Sequence, residues 1–268
     1  MNFGLLIIGD EILSGKRQDK HLAKVIELLT ARGLALSWAQ YLGDDPVRIT
    51  AALRAAFASG DVVFSCGGIG ATPDDHTRQC AAAALGAPLA LHPQARELIM
   101  ARVRKMAAEQ GWTADPDHPD TIHRLEMGVF PEGAAIIPNP YNQIPGFSVG
   151  EVHFVPGFPV MAHPMIEALL DGRYAHLHGQ GVQEERSVIV YGSMEASLTP
   201  LMIDLEARFP GVKVFSLPSV DHPQHGRHIE LGVKAPRGAT RAAYAALLSG
   251  LRERGVMLGP ELVRNSSM

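Results

Sequence analysis

The segment at residues 64–77, FSCGGIGATPDDHT, holds the residue types most able to do chemistry. A buried apolar strand is expected to run into glycines and then straight into a helix start. Gly67, Gly68 and Gly70 can take backbone angles closed to other residues and let phosphate oxygens approach the amides. Thr72 is expected as the N-cap of a helix running to about Leu85, with Pro73 at N1, Asp74 at N2 and Asp75 at N3. Free N–H groups and the positive end of the helix dipole would then face the loop and attract an anion. Two carboxylates beside such a cradle repel a phosphate unless a divalent cation stands between them, and carboxylate and phosphate oxygens are what Mg²⁺ accepts. Capping alone explains Asp75 better than it explains both aspartates.

A second acidic point follows the first apolar run, in Gly9-Asp10-Glu11. Ligands of open α/β sheets bind at the carboxyl ends of strands, so Asp10 shares a crevice with the glycine loop if the strands ending at Ile8 and Ser65 are neighbours. Otherwise Asp10 caps the turn. Gly68-x-Gly70-x-x-Pro73 lacks the third glycine of a dinucleotide fingerprint, and no Gly-Lys-Ser/Thr follows, so neither a Rossmann site nor a P-loop is supported. Lys16 and Arg17 are read as surface charges. His222, His225 and His228 match no standard metal-ligand spacing and are expected in a solvated hairpin turn. Cys66 and Cys80 read as buried side chains in a reducing compartment.

Positioning these residues takes alternating strands and helices, which form a largely parallel sheet covered by helices. Strands are expected at 3–8, 34–41 and 61–65, with helices at 21–32 (Leu22, Val25, Ile26 and Leu29 inward), 46–59 and 94–109. Residues 110–160 are rich in Pro and Gly and are expected as loops joining short strands near 135–137, 146–149 and 152–155. A polar stretch at 173–185 reads as a linker between a domain over 1–172 and a smaller α+β domain over 186–262. The latter has β-α-β-β-α-β order, the ferredoxin-like split βαβ, with one helix capped by Thr199 and Pro200. The 268 residues carry a net charge of −4, which argues against a nucleic-acid partner. The N-terminal apolar run is too short for a signal or membrane span, so a cytoplasmic location is expected.

Six ordered blocks carry a resemblance: GDEILSG, GDD at 43–45, GGIGATPDDHT, FPEGA at 130–134, NPYNQIPGF at 139–147 and VPGFP at 155–159. Together they resemble the molybdopterin-binding-domain family of molybdenum cofactor biosynthesis, in the version found at the N-terminus of CinA-type (competence/damage-inducible) proteins. Residues 180–260 resemble the small domain that follows it there. The resemblance implies a three-layer α/β/α fold and a site for a pterin or nucleotide diphosphate. By position, Asp10, Gly67, Gly68, Gly70, Thr72, Asp74, Asp75 and Thr77 match the family's ligand-binding residues. Pro145 and Gly146, with Gly157 and Pro159, match its second loop set. Two departures stand out: Asp19-Lys20-His21 replaces an Asp-Thr-Asn-like run, and Val160 stands where a glutamate-bearing pattern is expected. The chain ends before the deamidase domain of full-length CinA proteins, so amide hydrolysis is not expected.

The expected activity is metal-dependent phosphoanhydride chemistry. Asp10 and Asp75 are its catalytic candidates, and Asp74 and Asp75 its ligands for Mg²⁺. Water as nucleophile gives an ADP-ribose pyrophosphatase; another phosphate gives a molybdopterin adenylyltransferase. The alternative is a carrier or regulatory module that binds a pterin or nucleotide without reacting it. The family further implies a homo-oligomer, dimer or trimer.

Overall fold

A computed structural model describes residues 1–179, 183–236 and 238–265. The chain begins with β1 (Phe3–Ile8), buried at every position, as an uninterrupted apolar strand must be when helices cover both sheet faces. A one-turn helix α1 (Asp10–Leu13), then α2 (His21–Thr30), β2 (Leu36–Leu42), α3 (Pro46–Ser59) and β3 (Val62–Cys66) follow. The helix expected over 21–32 stops at Thr30, whose carbonyl accepts from Gly33 N–H, with Gly33 at φ +67°. Its inward face is His21, Val25, Leu28 and Leu29, and Ile26 is 44% exposed. The two stripes share Val25 and Leu29, so periodicity alone does not choose between them. The His21 side chain decides, by bonding across to Gly157.

Next come α4 (Thr77–Leu85), β4 (Leu89–Leu91), α5 (Pro93–Gln110), α6 (Pro119–Leu125), β5 (Val129–Pro131), β6 (Ala135–Ile137), β7 (Gly146–Val149), β8 (Val152–Val155) and α7 (Pro159–Asp171). The sequence pattern does not reveal α6 and α7. In α6, as in α3, α5 and α7, proline stands at the first helical positions, where its missing N–H removes no bond. Prolines that read as loop punctuation therefore open helices.

The main sheet has the order β2-β1-β3-β8-β7-β6, with the first four strands parallel and the last two antiparallel. Because β1 lies between β2 and β3, successive crossovers leave it in opposite directions, opening a crevice at the strands' carboxyl ends. Stacked Phe130, Phe147 and Phe154 rings, 4.5 and 4.3 Å between centroids, fill the core toward the antiparallel edge.

Two compact units partition the chain: residues 1–29 with 35–176, and residues 30–34 with 177–268. The second contains β9 (Gln183–Tyr191), α8 (Glu195–Arg208), β10 (Lys213–His222), β11 (Gly226–Pro236), α9 (Thr240–Glu253) and β12 (Met257–Asn265). Its sheet, β10-β11-β9-β12, is antiparallel throughout, the split βαβ arrangement. Part of the expected linker, residues 180–182, lies outside the described residues, while Glu184 and Glu185 are already paired in β9. Helix α8 starts one turn before Thr199, whose hydroxyl donates to the Glu195 carbonyl inside the helix. The extra turn buries Leu198 together with Leu201 and Leu205. Among the described residues no helix is long and apolar enough to cross a membrane.

Candidate functional site

A cavity of about 670 Å³ opens at the carboxyl edge of β1, β2, β3 and β8. Gly67 stands where three of these strands meet. Its N–H donates to Val155 O at 3.1 Å, its φ is +108°, and a Cβ there would lie 2.2 Å from Ile8 O. At Gly68, φ is +67° and a Cβ would lie 2.2 Å from Thr77 Oγ1. The side chains missing from this loop would therefore collide with the protein itself. The glycines let the loop fold tightly onto the end of β1 and the start of α4, rather than clearing space on the ligand side.

The helix expected to open at Thr72 begins at Thr77. The Asp75 carboxylate accepts from both the N–H and the hydroxyl of Thr72 (2.9 and 2.5 Å), and Asp75 N–H donates to Thr72 O. That closed turn satisfies the donors a helix would otherwise use. Thr72 is thus not an N-cap, and Asp74 and Asp75 are not the second and third helical residues. Among the described residues, the amides of Gly68, Ile69, Gly70 and Ala71 donate to no protein acceptor, and all four residues line the cavity.

Arg78, only 4% exposed, braces this loop from behind. Its guanidinium donates to Gly70 O at 2.5 Å and to Glu126 O. Burial pulls its pKa below the ordinary arginine range, while the charges of Asp75 and Glu126 oppose that shift. Nothing in the local sequence marks Arg78, because both its acceptors reach it through the fold.

Gly67, Gly68, Gly70, Thr72, Asp74, Asp75, Pro145 and Gly157 all line this one cavity. Asp10, Thr77, Gly146 and Pro159 support it from outside the lining. Asp10 N–H donates to Asp44 Oδ2 (2.9 Å) and Asp44 N–H to Asp10 Oδ1 (3.2 Å), a reciprocal clasp tying β1 to β2. Thr77 is fully buried with its hydroxyl on Gly67 O at 3.0 Å. Gly146 lies in β7, where a Cβ would meet Phe154 O at 2.3 Å, and Pro159 opens α7. Thr77→Val is expected to cost about 1–2 kcal/mol in urea unfolding, because Gly67 O loses its partner, with Thr77→Ser near the parent. Equal loss in both variants would remove the hydroxyl from this role.

Asp44 is a lining residue that sequence reasoning passes over. Its neighbour Asp45 caps α3, accepting from Val47 and Arg48 amides with Pro46 at N1, which leaves Asp44 to face the cavity. Burial raises its carboxyl above the ordinary range, and the charges of Asp10, Glu11 and Asp74 add to the shift. Lys16 and Arg17 line the cavity too.

The Asp19-Lys20-His21 departure has a structural account. Although burial works against it, the His21 amide, the Tyr41 hydroxyl and the Leu22 amide together hold the Asp19 carboxyl low, and Asp19 anchors the start of α2. His21 Nε2 donates to Gly157 O at 3.0 Å, fixing the strap over the cavity. In the second unit, His222, His225 and His228 pack with centroids 5.0–5.6 Å apart. His222 Nδ1 accepts from the Gln224 and His225 amides, so its proton sits on Nε2. Among the described residues no group of three or more His, Cys, Asp or Glu is arranged to hold a metal ion.

The profile of the family described as probable molybdopterin binding domain matches residues 4–176. The chain belongs to this family. A protein of Pyrobaculum calidifontis is 32% identical over 254 residues, covering 91% of this chain and 92% of its own. The CinA-like protein of Syntrophotalea carbinolica is 30% identical over 203 residues, 73% of this chain and 46% of the relative. The crystal structure of the protein CinA of Thermoplasma acidophilum, described there as of unknown function, superposes with a TM-score of 0.52 at 30% identity, covering 63% of this chain and 96% of that one. The molybdopterin-binding domain here is of the CinA type, and the chain spans about half the length of the CinA-like relative. Within the CinA-type domain, five of the six sequence blocks supply cavity residues, while FPEGA builds β5 and the core through Phe130 and Ala134.

Proposed function

We propose that this CinA-type domain binds the diphosphate of a pterin or nucleotide at residues 67–75 and acts on its phosphoanhydride with a divalent cation. The observation that carries the reading is the run of four unclaimed amides, Gly68 to Ala71, lining a cavity of about 670 Å³. That volume falls within the usual range of small-ligand sites. Amides held in place by Arg78 and the Thr72–Asp75 turn need no reorganisation to stabilise charge developing on phosphate oxygens.

The acids fit a cation of the Mg²⁺ type. Asp75 has one oxygen committed to Thr72, Asp74 is exposed at the lining, and Asp44 is destabilised as an anion by burial and by neighbouring carboxylates. Two carboxylates do not make a closed cage, which suits an ion that keeps waters and shares substrate phosphates. Asp74 and Asp75 would hold it, and it would polarise the phosphoryl group toward attack. Asp10 acts in this scheme by setting Asp44 through their clasp.

The test incubates the full chain with ADP-ribose and, separately, with ATP plus molybdopterin, each with Mg²⁺ or Co²⁺. Asp75→Asn keeps an oxygen for Thr72 but removes the charge. It is expected to lose about 100-fold in turnover while melting within a few degrees of the parent. Parent-like turnover by Asp75→Asn, or no turnover by the parent on either substrate pair, defeats the catalytic reading. A second reading, ligand binding without chemistry, draws on Val160, an exposed apolar residue in the first turn of α7 where the family pattern leads to an acid. Saturable binding with intact ligand recovered would support it.

A further inference from the structure

Phe158 is a large aromatic side chain left 54% exposed inside the lining of the cavity. Its backbone is fixed: Phe158 O accepts from Met161 and Ala162 N–H at the start of α7, Gly157 O is held by His21, and prolines flank the segment at 156 and 159. The ring is thus presented to the cavity by a strap that cannot collapse onto the core. The guanidinium of Arg17 stands over it, 5.9 Å from the ring centroid. Arg17 is itself placed by its N–H donating to Glu11 O at 2.9 Å, and pairs with no carboxylate among the described residues. Met127, Ile144, Pro145 and Met161 continue the same lining as an apolar wall.

The cavity lining therefore combines two chemistries, the free amides of residues 68–71 and an aromatic face under a cation. A separation of 5.9 Å is at the outer limit of a cation–π contact, about 6 Å. A planar ring stacked on both sides needs roughly 7 Å, twice a carbon contact distance of about 3.5 Å. Opening by about 1 Å is within the reach of a flexible arginine side chain.

We propose that Arg17 and Phe158 form a clamp that takes the planar heterocycle of the ligand between them while its phosphates lie on the amides of residues 68–71. The clamp rests on the phosphate-loop reading above and adds the ligand's polarity. It selects for an aromatic ring, of purine or pterin type, over ring-free phosphates. Every such ring has a π-face, so the clamp does not choose among them.

Calorimetric titration of the full chain, with Mg²⁺ present throughout, uses three probes: ADP, a reduced pterin monophosphate, and inorganic pyrophosphate as the ring-free control. Phe158→Leu keeps apolar bulk without a π-face. It is expected to weaken ADP about 10-fold, the loss of one stacked base, and to leave pyrophosphate within about twofold. Phe158→Trp is expected to bind ADP at least as tightly as the parent, with indole emission quenched by ADP and not by pyrophosphate. The ring is 54% exposed and the α7 hydrogen bonds are made by the Phe158 carbonyl, so both variants should retain the parent's melting temperature. An unchanged ADP affinity in Phe158→Leu, a proportionate loss of ADP and pyrophosphate, or an unquenched tryptophan overturns the clamp and leaves the phosphate loop standing. A parent that binds none of the three probes overturns both.

Discussion

Gly67→Ala is expected to remove about 3–5 kcal/mol of stability and to abolish ligand binding. The methyl group would stand 2.2 Å from the carbonyl oxygen of Ile8, on a backbone at φ +108°. Neither problem is relieved by a rotamer change, because the colliding atom is main chain in a central strand. Relief requires β1 and β3 to separate at Ile7 and Cys66, their last paired residues, which also displaces the amides of the loop. Gly133→Ala is the matched control. Its φ of +83° is also positive, but nothing lies within 4 Å of the point where a Cβ would stand, so only the conformational penalty of about 1–2 kcal/mol applies. Urea unfolding of both variants makes the comparison. Similar losses at the two positions would show that the contact with β1 is not what demands glycine at 67.

The second large effect lies in the core and depends on pH. His153 is fully buried between Ser148 Oγ, 2.7 Å from Nδ1, and Tyr174 Oη, 2.5 Å from Nε2. Tyr174 gives its only proton to Glu151, so His153 Nε2 must donate, and with burial disfavouring a second ring proton Nδ1 accepts from Ser148. That pattern is the neutral imidazole. Burial, reinforced by the charge of Arg173 and opposed by that of Glu151, pushes its pKa down to about 3. The unfolded chain takes up this proton near pH 6.5 and the folded chain does not, so stability is complete above about pH 6.5 and is lost as pH falls toward about 3. Between about pH 6.5 and 4.5 the loss is expected to reach about 2–3 kcal/mol. His153→Asn should be less stable than the parent at about pH 7.5 but show a flatter decline below about 6.5. Denaturation midpoints at several pH values test this, and parallel declines would count against His153 as the source.

Much of this architecture can be read from residue order alone, for identifiable reasons. The short strands near 135–137, 146–149 and 152–155 appear where turn residues bracket apolar runs, and the second unit's β-α-β-β-α-β order shows in its own periodicities. The glycine loop is legible as a tight turn leaving a buried strand, but its construction is not. Sequence places Thr72 and Asp75 at capping spacing, and the pair does bond, yet in the opposite sense, with the later residue's carboxylate serving the earlier residue's amide. Local pattern cannot distinguish these outcomes, since both close the same four-residue turn between Thr72 and Asp75. Asp44, Arg78 and His21 owe their positions to partners 34, 48 and 136 residues away, a separation no window covers. For Asp44 a cue does exist: in Asp-Asp-Pro the second aspartate is the natural cap, which frees the first.

Each of the four parallel strands sends one loop to the cavity, and no two of these loops are consecutive in the chain without a helix between them. Above the paired strands these loops are cross-tied, by the Asp10–Asp44 clasp, the His21 bond to Gly157 and the Gly67 bond to Val155. Substitutions that spare these ties and the glycine seam at the centre can therefore accumulate on one wall at a time with little penalty to folding.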